Sequence, residues 1–145
     1  MTIVDVNVLI YATARGSRHH DRARGWLLRA LSGSRPVGLP WHSLLGFVRL
    51  ATSPRAMEHP LTMDQAWDLA EGWLSSGVAV TPEPDLRHLS RVRSLIAAVS
   101  EQGGVGGALV SDAHLAALAI QHRATLISFD RDFERFPGLH WEMPS

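Results

Sequence analysis

Short β-branched segments alternate along this chain with longer stretches of helical periodicity, and that alternation restricts the fold more than any other feature. Residues 2–6 (TIVDV), Val37–Leu39, Val78–Val80 and Thr125–Ser128 read as strands, with His140–Glu142 as a short edge strand. Between them, His20–Leu31 carries Ala23, Trp26, Leu27, Ala30 and Leu31 at three-and-four spacing. Trp41–Ala51 is helical up to the Thr52-Ser53-Pro54 turn. Thr62 caps a helix running through Trp73, with Gln65 placed for a capping box, and Asp85 caps one from Leu86 to Ser100. The glycine-rich residues 103–107 (GGVGG) read as a flexible connector, and an Ala/Leu-rich helix starts at Ser111-Asp112. Helices between successive strands act as crossovers, so the expected class is α/β, a parallel sheet with helices on both faces. The 145 residues suit a single domain, 1–145.

Composition removes whole classes of chemistry. All fourteen basic residues are arginine, balanced by fourteen acids. Without lysine there is no Walker A phosphate loop and no Schiff-base amine. The lysine of phosphoaspartyl phosphatases and receiver domains is missing too. Without cysteine there is no disulfide and no thiolate metal site. A net charge of zero argues against coating a nucleic acid by bulk charge, but allows a basic rim around an acidic cleft. The longest apolar run, Leu115–Ile120, is six residues, too short to span a membrane. No basic flank precedes the first hydrophobic stretch, so a cytoplasmic location is expected.

Three acids far apart in sequence fall at comparable places. Asp5 closes the first strand, Asp130 follows the strand Thr125–Ser128 with Asp132 two residues on, and Asp112 lies at a helix start. Open parallel sheets bind ligands outside the carboxyl ends of their strands, where Asp5 and Asp130 both belong. Taken singly, Asp112 reads as a residue favoured by a helix dipole and Asp130 and Asp132 as turn residues. Asp5 is different, because it interrupts an apolar strand expected to be buried, where an unpaired carboxylate is costly. Converging carboxylates without a lysine to neutralise them call for a hard divalent cation. Mg²⁺ takes one or two carboxylates plus water and phosphate oxygens.

Val4-Asp5-Val6-Asn7-Val8-Leu9-Ile10-Tyr11-Ala12 resembles the opening of PIN-domain proteins. Ser111-Asp112-Ala113-His114-Leu115-Ala116-Ala117-Leu118-Ala119 is similar to their third acidic motif, and Thr125-Leu126-Ile127-Ser128-Phe129-Asp130-Arg131-Asp132-Phe133 to their last. Order, spacing and length resemble the VapC toxins of bacterial toxin–antitoxin pairs over essentially the whole chain. The resemblance implies a three-layer α/β/α sandwich and metal-dependent endoribonuclease activity silenced by a cognate VapB-type antitoxin. It implies Asp5 and Asp112 as the principal Mg²⁺ ligands, with Mn²⁺ as a substitute, and Asp130 completing the catalytic acids. Asn7 would support Asp5 by hydrogen bonding.

One position departs from the pattern. The family usually places a glutamate on the helix after the second strand, where this chain has Gly46, and no acid lies between Asp21 and Glu58. A helix-interior glycine suggests close packing or backbone approach. His42, one turn earlier, is a candidate for a nitrogen ligand beside the plainer reading of a polar helix entry. The eight histidines lack metal-ligand spacing; His114 is expected to face away from the acids, and His19-His20 to mark a solvated helix entry. Arg49, Arg131 and Arg135 are candidates for phosphate contacts. Trp26, Trp67 and Trp73 suit apolar helix faces, and self-association as a homodimer through apolar helices is expected. The alternative to a nuclease is a catalytically weak or inactive PIN-fold module that binds RNA or antitoxin.

Overall fold

A computed structural model describes residues 1–100 and 107–145. The element order is β1 (Thr2–Val4), α1 (Val6–Thr13), α2 (His20–Leu31), β2 (Val37–Gly38), α3 (Trp41–Ala51), α4 (Met63–Leu74), β3 (Ala79–Val80), α5 (His88–Ser100), α6 (Gly107–Gln121), β4 (Thr125–Ile127), a 3₁₀ turn (Arg131–Arg135) and β5 (His140–Glu142). All five strands are parallel, in the order β3-β2-β1-β4-β5. Thr2 stands opposite both Val37 and Thr125, so β1 is the central strand.

The alternation of side chains along β1 builds the layers. Val4 enters a core with Val8, Leu9, Leu44, Phe47 and Ile127, on the face covered by α1 to α4. Ile3 enters the opposite core with Leu126, Leu95, Val99, Phe133 and Phe136, covered by α5 and α6. Ile3 and Val4 are both fully buried. This is the expected three-layer α/β/α arrangement. Gly38 admits no side chain, because an added Cβ would lie 2.9 Å from Ile3 Cγ1 and 3.0 Å from the Thr2 carbonyl oxygen. None of the described helices is long and apolar enough to cross a membrane.

The Thr62–Gln65 capping box is formed in both directions. Several boundaries differ from the sequence reading. β1 to β4 are shorter, while β5 has the bounds expected, and β1 ends at Val4, which makes Asp5 the N-cap of α1 rather than a strand residue. Asp85 accepts from the Arg87 amide, but the helix begins only at His88. The long last helix starts at Gly107, not Ser111, so Asp112 sits in its second turn, away from the N-terminal amides. The dipole account of Asp112 is thereby removed, since that effect fades beyond the first turn. The connector at 103–107 lies outside the described residues except for Gly107, which begins α6.

Candidate active site

The strand order reverses at β1: the chain steps to β2 on one side and, later, to β4 on the other. That reversal makes the carboxyl ends of β1 and β4 the switch point, the crevice position where an open α/β sheet receives ligands. Asp5 follows β1 directly, and Ser128 and Asp130 follow β4. The Asp5 amide donates to the Ile127 carbonyl at 3.0 Å, tying the two strand ends together.

Asp5 is 6% exposed, and both of its oxygens are held. Oδ1 accepts from the Val6 amide and Oδ2 from the Ser128 hydroxyl, each at 2.7 Å. Ser128 is fully buried and spends its whole hydrogen-bonding capacity here. Besides donating to Asp5, its oxygen accepts from Asn7 Nδ2 and from the Asp130 amide, both at 3.0 Å. Asn7 Oδ1 accepts from the Phe129 amide at 3.2 Å, so Asn7 clasps α1 to the turn after β4. Asp130 caps the 3₁₀ turn by accepting from the Asp132 amide at 2.9 Å. Trp141 closes the back by donating to the Ser128 carbonyl at 3.1 Å.

Asp112 comes from α6, with Arg135 as its counter-ion: Nη2 stands 3.4 Å from Oδ2. Burial pushes the Asp112 carboxyl up to about 6, with the charges of Asp130 and Asp5 adding to it and Arg135 opposing. Burial also raises Asp5; the Ser128 and Val6 hydrogen bonds oppose it, Asp130 reinforces it, and His42 opposes it. The three acids named from the sequence thus act on one another electrostatically, and among the described residues Arg135 is the one arginine paired with them. Among the described residues no group of three or more His, Asp or Glu side chains is arranged to cage a metal ion. The donor set suits a cation of another habit. Each Asp5 oxygen accepts one hydrogen bond and keeps a lone pair, as a Mg²⁺ held by one or two carboxylates and otherwise by water requires.

Gly46 lies beside this site without the tight packing expected of it. An added Cβ would meet Val6 Cγ2 at 3.4 Å, an ordinary van der Waals contact. His114 faces other histidines rather than the acids. His88 Nε2 lies 2.7 Å from His114 Nδ1, and the His42 ring stands edge-on to His114 at 5.1 Å between centroids. Burial, then the neighbouring His88 and His42, push His114 down to about 4, so it is neutral at neutral pH. No spacing rule could find a cluster drawn from α3, α5 and α6. Ser128 was also missed as a site residue, although a small polar residue closing an apolar strand two positions before an acid is a legible signal. Arg49 and Arg131 are exposed and form no ion pair among the described residues.

A family model described as "PIN domain" matches residues 2–139. The ribonuclease VapC37 of Mycobacterium tuberculosis is 44% identical over 144 residues, covering 99% of this chain and 97% of its own. The ribonuclease VapC33 of the same species is 36% identical over 149 residues, covering 99% and 98%. Among solved structures, VapBC2 of Rickettsia felis bound to a DNA fragment from its promoter superposes with a TM-score of 0.70 at 18% identity, over 99% of this chain and 98% of that one. M. tuberculosis VapC20, described as a sarcin–ricin loop cleaving toxin, gives 0.68 at 17% identity, over 97% and 99%.

Proposed function

The chain belongs to the PIN-domain family, and on that premise we propose that it is the toxin of a VapBC-type toxin–antitoxin pair, a divalent-metal-dependent endoribonuclease. The observation that carries the reading is the Asp112 carboxyl, pushed up to about 6 by burial and by the charges of Asp130 and Asp5, the two acids that follow β4 and β1.

Asp5 and Asp112 would hold a Mg²⁺, or Mn²⁺ in its place. When bound, the ion supplies polarisation of a phosphoryl oxygen and lowers the pKa of a bound water. The chain's own residues do the positioning. The Val6 amide and Ser128 hydroxyl fix the plane of the Asp5 carboxylate. Asn7 locks Ser128, so that hydroxyl's proton is committed to Asp5. Asp130 uses one oxygen as a cap and keeps the other to orient an attacking water. A preorganised site of this kind needs no rearrangement as charge develops on the phosphate.

The antitoxin is a VapB-type protein, the reading supported by the VapBC complexes among the structural neighbours. Trp41 and Leu45, one turn apart on α3 and 47% and 55% exposed, provide an apolar face that a second copy of the chain would cover.

The test is cleavage of total RNA by purified protein with Mg²⁺, Mn²⁺ or EDTA, beside Asp112→Ala. Cleavage is expected with metal and absent in EDTA and in Asp112→Ala. Cleavage that persists in Asp112→Ala would place the chemistry elsewhere, and metal-dependent RNA binding without cleavage would favour the binding module.

A further inference from the structure

Arg135 is the cation that bears on Asp112, and its present placement is incomplete. Its contact with Asp112 is single and long, 3.4 Å from Nη2 to Oδ2, where a bidentate arginine–carboxylate pair would use two short bonds. Its Nε is buried without a hydrogen-bond partner among the described residues, a condition native structures seldom leave standing. Its head packs over the Phe136 ring, 5.3 Å from the centroid, which keeps the guanidinium beside the crevice whatever it pairs with. About a quarter of each side chain of the pair remains exposed, so both are open from the solvent side.

These features describe a cation held near an acid without being committed to it. We propose that Arg135 is the counter-ion that a divalent cation displaces from Asp112, and that the released guanidinium then contacts a phosphate of the RNA. The proposal rests on the nuclease reading above and adds an order of events to it: metal before RNA. Before the ion binds, Arg135 offsets part of the acidic charge. Once the ion takes Asp112, the guanidinium has lost its carboxylate, and a planar fork of donors suits the RNA phosphate. The same residue therefore competes with the metal and cooperates with the substrate.

Those two roles have opposite signs, which makes them separable from a structural one. Mg²⁺ and Mn²⁺ alone are titrated by calorimetry into metal-free wild type, Arg135→Gln and Arg135→Lys. Removing the competing charge should tighten metal binding about two- to five-fold in Arg135→Gln, the range of a partly exposed ion pair, while Arg135→Lys stays near wild type. RNA cleavage is then measured at saturating Mn²⁺. Arg135→Gln should raise KM about ten-fold, and its log–log dependence of RNA affinity on salt should flatten by about 0.7, the loss of one phosphate contact on a single strand. Arg135→Lys should restore the salt dependence and part of the KM.

A merely structural Arg135 would weaken metal binding when removed, because Asp112 would lose its support. Unchanged or weaker metal binding in Arg135→Gln therefore overturns the proposal, as does an unchanged KM and salt slope. Either result leaves the nuclease reading intact. A wild type that binds neither ion overturns both.

Discussion

Replacing Asp112 by asparagine tests the electrostatic account of the site without metal or RNA. The substitution keeps the shape of the side chain and removes its charge. In the folded protein the carboxyl is raised from the usual 3.8 to about 6. Below pH 3.8 it is protonated in both states and stability is unaffected. Between pH 3.8 and 6 the unfolded chain gives up this proton more readily than the folded one, so stability falls as pH rises, and above about 6 the loss is complete. A rise of that size corresponds to about 3 kcal/mol. The opposing charge of Arg135 is already contained in that net rise, and the exposed quarter of the side chain reduces it by solvent screening. Metal-free Asp112→Asn should therefore be more stable than wild type by about 1–2 kcal/mol at pH 7.5, which for a chain of this size raises Tm by about 3–8 °C. The advantage should shrink toward zero near pH 4. Thermal unfolding by circular dichroism in EDTA, at steps from pH 4 to 8, measures it, and saturating Mg²⁺ should reverse the order by stabilising wild type alone. A variant less stable than wild type at pH 7.5 in EDTA would mean that the Asp112 carboxylate is a structural group with a strong partner. The convergence of unbalanced acids would then be the wrong description.

Ser128→Ala leaves Asp5 Oδ2, Asn7 Nδ2 and the Asp130 amide without their shared partner, so urea unfolding should show a loss of about 2–3 kcal/mol, with Ser128→Thr milder only if the extra methyl fits. Gly46→Ala should stabilise by up to about 1 kcal/mol, because its Cβ meets Val6 at an ordinary distance, and differential scanning calorimetry would reveal a destabilisation if the backbone approach were tight after all. Gly46→Glu, which restores the usual family residue, should fold normally and bind Mn²⁺ more tightly by calorimetry; unchanged affinity would show that α3 does not present this position to the metal.

Much of the fold was legible because its causes are local. The apolar spacing of His20–Leu31 and the Thr62/Gln65 pair are read within a few residues, and the structure forms both elements. Alternating strands and helices implied a parallel sheet, since crossovers admit little else. Strand and helix ends were read less well. Asp5 looked like a strand residue because Val6 continues the β-branched run, yet the tie of its amide to Ile127 and the cap on Val6 turn the chain into α1 there. The α6 start was missed because the glycines at 103–107 resemble a linker, while Gly107 already belongs to a helix packed on α5.

By itself, then, the sequence determined the α/β class, the identity of the three acids and the absence of any lysine to neutralise them. Three things were decided only by the tertiary structure. The pairing of β4 with β1 sets Asp5 and Asp130 after neighbouring strand ends across 125 residues of chain. The packing of α6 turns Asp112 from a helix-start acid into a second-turn one whose counter-ion among the described residues is Arg135. The meeting of α3, α5 and α6 assembles His42, His88 and His114, which share no spacing along the chain. Periodicity and capping are written in neighbouring residues. The charge on a carboxylate depends on burial and on whichever groups the fold sets beside it, and those come from anywhere in the sequence.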